Sequence, residues 1–571
     1  MQRPVMQRFH LAVLIALIAT FAFFPACAQQ TSAAPQPFDV VIVNGKIVDG
    51  SGNPWYLGDV GIRGDRIAAI GKLGNAPAKK RIDATGMVVA PGFIDMLGQS
   101  ELALLIDRRA ISKLSQGITT EITGEGGSIA PQNTITLKAL APAIEPYHLK
   151  VDWTDLAGYF EQLEKQGMPI NLGTYVGAAQ IREAILGDDN RQPTPEELEK
   201  MKALVAQAME QGALGLSTAL IYPPGHYAKT EELIELAKVT ARYGGIYASH
   251  MRSEGRSEEA AVEEALRIGR EAQIPVEIFH LKVAGKTRWG GMTKLVAKLQ
   301  AARDSGIDVT ADMYPYLAGG TALASALPPW VADGGLEKAL ERLRDPGTRA
   351  RIKSEMGEEH TGWENLYLAA GGASGVMLAS VVSKDLKQHT GKTIAEIAQA
   401  QNKDALDTLF DLVLADRGQS GALYFIAGED DLQYGLKQTF TSIGLDAGEE
   451  PLDGPLYEPH GHPRAFGSMP RFIGHYARDL RLLPLEQAVR KITSLPAQRE
   501  HLTGRGLIKE DFFADITVFD PATIIDRATY TEPTQLSQGV KYVFVNGQLT
   551  FADRQMTGAY AGRALRGRGA R

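Results

Sequence analysis

The sequence predicts an α/β fold in which a long central barrel of parallel strands and helices is flanked by β-rich ends. In the middle of the chain, short apolar strands alternate with helices in units of about thirty residues, which is typical of parallel βα repeats that close into a barrel. At both ends, short strands with turn residues predominate, which favours one small sheet domain built from the two termini. With 571 residues, the chain is long enough for a barrel and an accessory domain.

The middle of the chain carries clear helix and strand signals. Residues 194–197 form a capping box with Pro195 at the first helical position, and Thr230 and Ser257 are expected to cap the next two helices. Short apolar strands are predicted at 214–217, 246–249, 276–279, 308–311 and 441–445. The segment 336–433 is helix-rich and less regular, so we interpret it as an insertion on the catalytic face of the barrel.

The β-rich ends complete the expected domain organisation. Strands are predicted at 39–43, 46–48, 59–62 and 67–70, and again at 515–519 and 540–547. Asn44-Gly45 is a turn signal between the first two strands. We therefore expect residues 29–90 and 506–571 to form the sheet domain and residues 91–505 to form the barrel.

Residues 1–28 are predicted to be a cleavable secretory signal. Two arginines precede an apolar run that is too short to span a bilayer comfortably, and small residues around Cys27 provide a cleavage site after Ala28. The mature protein is therefore expected to be periplasmic or secreted, with no membrane span. An uncleaved anchor, or a lipid anchor at Cys27, is the alternative.

Composition restricts the partners and the metal chemistry. Cys27 is the only cysteine, so the mature chain would contain no thiol, and any metal must be held by His, Asp, Glu or Lys. The net charge of −7 and the lack of a basic stripe with interleaved aromatic residues argue against nucleic-acid binding. The oligomeric state stays open.

Two histidines follow neighbouring predicted strands. His250 comes directly after the strand 246–249, and His280 comes directly after the strand 276–279. The carboxyl ends of barrel strands meet at the rim where active sites lie, so both imidazoles are expected within reach of one divalent ion.

Two carboxylates occupy similar positions. Asp446 follows the predicted strand 441–445, where it could take a proton from metal-bound water and pass it to a leaving amine. Glu125 lies between glycines after a strand, and small neighbours let a ligand and an ion come close. A tight loop with a solvated glutamate is the alternative for Glu125.

This ordered set of residues resembles the N-acyl-D-amino-acid deacylase (D-aminoacylase) branch of the metal-dependent amidohydrolases. The similarity covers nearly all of the mature chain. It rests on the segments 44–50, 91–95, 117–120, 212–217, 249–252, 280–282, 314–316, 462–464, 495–497 and 514–516. The resemblance implies a (β/α)8 TIM-type barrel with a small β-sandwich, and hydrolysis of an acyl amide on a D-amino acid.

The resemblance assigns metal ligands and reveals two departures. His250 and His280 match the ligands of the family's tightly held zinc. The family has a cysteine ligand in a Gly-Asn-Cys-Gly loop; here the loop is one residue shorter and Glu125 falls at the cysteine position. The family's paired histidines of a second, weaker metal site are replaced by Leu97 and Gln99. The departures together indicate an enzyme with one metal ion.

The resemblance also assigns residues around the substrate. Asp446 matches the catalytic aspartate, although Leu445 stands where the family has serine. Lys282, Tyr314 and Arg464 match polar residues expected near the substrate carboxylate or carbonyl. An arginine suits bidentate recognition of a carboxylate, while an interior ion pair is the alternative for Arg464.

The resulting hypothesis is a zinc-dependent hydrolase that cleaves N-acyl-D-amino acids to a free D-amino acid and a carboxylate. One Zn²⁺ is expected on Glu125, His250 and His280, with Asp446 as the proton carrier. A dipeptidase acting on D-residue or isoaspartyl dipeptides is the second reading, with similar small-molecule substrates. A binding protein that lost hydrolysis is the third.

Overall fold

The structure is a computed structural model that describes residues 36–359 and 362–571. The predicted signal at 1–28, including Cys27, lies outside this part of the chain, so the signal and the extracytoplasmic location stay predictions. Within the described part, none of the helices combines the length and the apolar composition needed to cross a membrane.

Parallel strands form the centre of the molecule. A three-stranded sheet has the order Phe93–Asp95, Ile118–Thr123 and Asn171–Thr174. A six-stranded sheet has the order Thr441–Ile443, Val309–Met313, Val276–Ile278, Ile246–His250, Gly215–Ala219 and Val176–Gly177. All neighbouring pairs within the two sheets are parallel. The α/β class is confirmed, whereas the ladders of the described residues form two sheets and no closed barrel.

Helices alternate with these strands along the chain. The α-helices outside the insertion are Ala103–Ile106, Ile111–Leu114, Thr134–Ile144, Leu156–Gln166, Ala178–Leu186, Pro195–Glu210, Thr230–Arg242, Glu258–Ala272, Met292–Asp304, Glu429–Lys437, Arg464–Arg471, Leu485–Lys491 and Ser494–Arg499. Helix Thr230–Arg242 shows why they pack: Leu233, Leu236, Ala237 and Thr240 recur at helical spacing and are all buried. The apolar stripe of such a helix is removed from water against the sheet.

The helix caps agree with the sequence in part. The capping box of Thr194 and Glu197 is present, with Pro195 as the first helical residue. The expectation for Thr230 was wrong, because Lys229 occupies the N-cap and the Thr230 hydroxyl donates to Glu264 instead. Ser257 stands at an N-cap position but makes no side-chain capping bond.

The two chain ends meet in one nine-stranded sheet. Its order is Gln555–Met556, Gln548–Ala552, Val540–Val545, Ile516–Phe519, Val88–Pro91, Phe38–Ile47, Tyr56–Arg63 and Arg66–Gly71, and Ala78–Asp83 also pairs with Phe38–Ile47. The ends join where Ile516–Phe519 pairs antiparallel with Val88–Pro91. Ladder pairing therefore links strands that are more than 400 residues apart, as the β-rich ends predicted.

The predicted turn at Asn44-Gly45 is wrong. One strand, Phe38–Ile47, runs through both residues, with a register shift between Ile42 and Gly45. Asn44 takes a φ of 61°, which asparagine tolerates better than most residues, and a Cβ on Gly45 would lie 2.5 Å from Val89. The Asn-Gly pair thus forms a β-bulge under a close neighbour.

The segment between the strand Val309–Met313 and the helix Glu429–Lys437 forms a body with its own apolar core. Its helices are Leu336–Arg344, Pro346–Met356, Leu366–Ala369, Ile394–Gln401 and Ala405–Ala415. It also contains an antiparallel sheet in the order Ala318–Ala322, Gly421–Phe425 and Val376–Ser380, which sequence analysis did not predict. Leu343, Ile352 and Phe410 belong to a core cluster separate from the central one. The exact domain boundaries stay predictions.

Candidate metal centre

Three potential ligands converge at the carboxyl ends of parallel strands. His250 is the last residue of Ile246–His250, and His280 lies two residues beyond Val276–Ile278. Glu125 lies two residues beyond Ile118–Thr123, between Gly124 and Gly126, both of which have a positive φ. Parallel strands end at one edge, so side chains far apart in sequence come together there.

The ligand atoms are in close contact. Glu125 Oε1 lies 2.7 Å from His250 Nδ1 and 3.1 Å from His280 Nε2. The two ring nitrogens are 3.0 Å apart, and the imidazole planes are nearly perpendicular at 87°. One carboxylate oxygen and two ring nitrogens within 4.8 Å of one another form a site that can hold a metal ion.

The donor set fits a divalent cation such as zinc. Two imidazole nitrogens that face each other and a carboxylate oxygen offer lone pairs to one point, and carboxylate and imidazole are both common zinc ligands. Three protein ligands leave a coordination position open, as in catalytic zinc sites. The observed geometry therefore meets the requirement for a metal-binding residue set.

A buried carboxylate contacts the ring nitrogen of His280 that does not face Glu125. Glu254 Oε1 lies 2.9 Å from His280 Nδ1 and 2.6 Å from Lys282 Nζ. Burial and Lys282 lower the pKa of His280, but the carboxylates of Glu254 and Glu125 outweigh them and raise that pKa to about 10. The surroundings of the imidazole thus favour a positive charge at this point.

The pKa of Glu125 is shifted in the opposite direction. Burial alone would raise it, but the contacts with His250 and His280 hold the pKa well below its usual range. Glu125 is therefore an anionic carboxylate at neutral pH, which is the form that binds a metal ion.

Asp446 lies next to the three ligands but outside their cluster. It follows Thr441–Ile443 by three residues and takes a left-handed backbone with a φ of 53°. Arg464 Nη1 lies 2.7 Å from Asp446 Oδ2. Burial raises the pKa of Asp446, Arg464 lowers it and the charge of Glu125 raises it, with a net upward shift. Such a carboxyl group is suited to both accepting and returning a proton.

The three residues expected around the substrate also gather here. The Arg464 guanidinium lies 4.7 Å from the centre of the Tyr314 ring, and Lys282 Nζ lies 5.5 Å from it. Both cations already have partners, since Lys282 pairs with Glu254 and Arg464 pairs with Asp446. The structure thus shows the ion pair that was the alternative for Arg464.

Leu97 and Gln99, at the positions of the absent histidines, have different surroundings. Leu97 is fully buried in an apolar cluster with Ile94, Ile122 and Phe279. Gln99 is exposed and contacts two carboxylates of the centre. One position therefore belongs to the core, and the other belongs to the site.

Sequence analysis missed two neighbours of the centre. Glu254 gave no recognisable signal beyond its position in the loop after His250. Tyr222 places its ring 5.2 Å from the His250 ring, edge to face, and lies in a loop that no motif marked.

Comparisons with known proteins identify the family of the chain and agree with its α/β fold. The amidohydrolase family model matches residues 80–551, and the model of the urease alpha-subunit N-terminal domain matches residues 25–93. The chain is 37% identical to a D-aminoacylase of Alcaligenes xylosoxydans xylosoxydans, over 93% of this chain and 98% of that protein. It is 36% identical to the N-acyl-D-glutamate deacylase of the same organism, over 90% and 94% of the two chains.

Solved structures show the same relationship. A D-aminoacylase crystal structure is similar with a TM-score of 0.75 and 35% identity, covering 93% of this chain and 100% of that one. The structure of an N-acyl-D-glutamate deacylase from Bordetella bronchiseptica, complexed with zinc and a phosphonate inhibitor, is similar with a TM-score of 0.78 and 33% identity. The match covers 93% of this chain and 100% of that one. The protein is a metal-dependent hydrolase. It belongs to the amidohydrolase family, and the resemblance read from the sequence is confirmed.

Proposed function

We propose that this enzyme hydrolyses the amide bond of N-acyl-D-amino acids to a free D-amino acid and a carboxylate, using one Zn²⁺. The convergence of Glu125, His250 and His280 on one point carries the proposal. The relatives named as D-aminoacylase and N-acyl-D-glutamate deacylase support the substrate class. A similar D-aminoacylase has a binuclear metal centre in which one metal activates and the second attenuates, and this supports activity with a single ion.

The chain's own residues supply the proton transfers. A zinc ion held by Glu125, His250 and His280 would supply a Lewis acid that polarises a carbonyl and makes water easier to deprotonate. Asp446 accepts the proton of the attacking water and returns it to the leaving nitrogen, so the amide bond is exchanged for an acid and an amine. Arg464 holds Asp446 Oδ2 at 2.7 Å and so keeps the carboxylate directed at the centre. Tyr314 and Lys282 stand beside His280, where they can contact the acyl oxygen or the substrate carboxylate.

A cavity whose lining includes Tyr222, but none of the candidate metal ligands, is large enough for a small-molecule substrate. It has a volume of about 670 Å³ and is lined mainly by apolar residues, among them Ile135, Tyr222, Leu327 and Val331. Tyr222 joins this cavity to the metal centre through its contact with the His250 ring. The acyl chain or the side chain of the substrate would lie there, since ligand pockets are mostly apolar with few polar groups.

The two parallel sheets can be understood as an interrupted (β/α)8 barrel. Met96 N donates to Ile443 O over 3.3 Å and Asp446 N donates to Leu97 O over 2.7 Å, which links the outer strands of the two sheets. At the other junction, Tyr175 alone separates Asn171–Thr174 from Val176–Gly177. These links support the barrel that the βα repeats predicted.

The test combines metal content with turnover. Purified mature protein is expected to hold one zinc per chain and to hydrolyse N-acetyl-D-amino acids faster than the N-acetyl-L enantiomers. His250→Ala should lose both zinc and activity, while His389→Ala, in the insertion, should keep both. A metal-free native enzyme, or full activity in His250→Ala, would refute the proposal. Dipeptides with D-residues or isoaspartyl bonds are assayed in parallel. A higher kcat/KM for these dipeptides than for N-acetyl-D-amino acids would favour the dipeptidase function.

A further inference from the structure

Gln99 lies between the two carboxylates of the centre. Its backbone is held on both sides, because Gly98 N donates to Ile122 O over 2.7 Å and Gln99 N donates to Ala447 O over 3.3 Å. The side chain therefore starts midway between the loop that carries Glu125 and the loop that carries Asp446.

The amide of Gln99 bridges these carboxylates. Its Nε2 donates to Glu125 Oε2 over 3.0 Å and to Asp446 Oδ1 over 2.9 Å. A primary amide has two N–H donors on one nitrogen, so both bonds are made without a proton conflict. The bridge connects the residue that would hold the metal with the residue that would carry the proton.

The four carboxylate oxygens have separate partners. Glu125 Oε1 faces His250 and His280, while Glu125 Oε2 accepts from Gln99. Asp446 Oδ2 faces Arg464, while Asp446 Oδ1 accepts from Gln99. Gln99 therefore binds one oxygen of each carboxylate. The other oxygen of Glu125 is left facing the two histidines, and the other oxygen of Asp446 is left facing Arg464.

A neutral hydrogen-bond donor between two carboxylates can stabilise both of them in their charged form. Carboxylates repel each other when they share a site, and a hydrogen-bond donor stabilises their charged forms. An amide provides donors but no charge, so it reduces the repulsion without neutralising either carboxylate.

We infer that Gln99 is a positioning residue: its amide holds the Glu125 carboxylate with one oxygen toward the metal and ties Asp446 beside it, in the space between the two carboxylates. The inference rests on the proposed function of the centre. Hydrogen-bond partners of ligand side chains commonly orient the ligand and tune its affinity for the metal. Gln99 is exposed, so its role does not depend on filling the core.

The test replaces the amide by a side chain of similar length without donors. Gln99→Met is expected to raise the dissociation constant for zinc by about 10- to 100-fold, the usual cost of losing such a partner. In zinc-saturated enzyme, kcat should fall while KM stays close to that of the wild type, because Asp446 loses its alignment and the substrate contacts remain. Gln401→Met, an exposed position at the end of a helix in the insertion, is the matched control and should change neither quantity.

The outcomes separate this inference from the proposed function. Zinc affinity and kcat in Gln99→Met that match the wild type, with one zinc and normal turnover in the wild type, overturn the inference alone. A wild-type enzyme that binds no zinc overturns both. An equal loss in Gln401→Met would show a general instability and overturns the specific role of Gln99.

Discussion

Glu254 Oε1 lies 2.9 Å from His280 Nδ1, on the side of the imidazole opposite the nitrogen that faces Glu125. Glu254 also pairs with Lys282 at 2.6 Å, and all three side chains are buried. A carboxylate behind a ligand histidine fixes the orientation of the ring and makes its free nitrogen a better donor to a metal. Glu254 thus belongs to the candidate metal centre although it contributes no ligand atom to it.

Replacing Glu254 by glutamine should weaken metal binding. Glu254→Gln keeps the size of the side chain but removes the charge that orients His280 and neutralises Lys282. We expect the dissociation constant for zinc to rise by about 10- to 100-fold. Competition with a fluorescent zinc chelator measures it, and Glu263→Gln, an exposed glutamate on helix Glu258–Ala272, serves as the control. Unchanged affinity in Glu254→Gln would mean that His280 is oriented by other contacts.

Replacing Asp446 by asparagine should separate catalysis from metal binding. Asp446 lies outside the Glu125, His250 and His280 cluster, so Asp446→Asn should keep one zinc per chain. Loss of the proton carrier should lower kcat by roughly 10²- to 10⁴-fold. Zinc analysis and steady-state kinetics on the same preparation give both numbers. Loss of zinc from this variant would instead identify Asp446 as a metal ligand.

Zinc affinity should rise with pH across the neutral range. Glu254 and Glu125 raise the pKa of His280 to about 10, so the metal-free protein carries a proton that zinc must displace. The affinity should therefore increase by up to about tenfold per pH unit. The interaction of protonated His280 with Glu254 and Glu125 also stabilises the metal-free protein. This contribution to stability is fully present below the ordinary histidine pKa of 6.5 and is lost as the pH rises through the His280 pKa of about 10. Chelator competition at several pH values tests the prediction, and a flat profile would contradict it.

Shortening Leu97 should affect stability rather than chemistry. Leu97 is fully buried against Ile94, Ile122 and Phe279. Leu97→Ala should reduce the free energy of unfolding by about 2 to 5 kcal/mol through lost contacts and a residual cavity. Denaturant unfolding measures the change, and zinc stoichiometry should stay at the wild-type value. A fall in zinc content without a loss of stability would show that Leu97 acts on the centre itself.

Local sequence patterns were sufficient for the class of fold and for the position of the candidate ligands. Apolar strands alternating with capped helices indicated parallel βα units, and residues directly after those strands were correctly expected at one edge. His250, His280 and Glu125 follow this rule, because the direction of a parallel strand fixes where its carboxyl end lies. An Asn-Gly pair can form either a turn or a β-bulge, and the local pattern does not distinguish the two. The turn predicted at Asn44-Gly45 was therefore wrong, because the pair forms a bulge inside one strand.

By itself, then, the sequence determined the α/β class through its periodicity and the places of His250 and His280 through the strand ends, while the amidohydrolase family and the role expected of Glu125 came from the resemblance of its motifs. Only the tertiary structure decided which side chains contact the candidate ligands and the residues beside them. Gln99 reaches Asp446 across 347 positions of the chain, and Glu254 meets Lys282 across 28. Such contacts depend on how separate loops pack above the sheets, and hydrogen-bond geometry between loops leaves no periodic trace in the sequence.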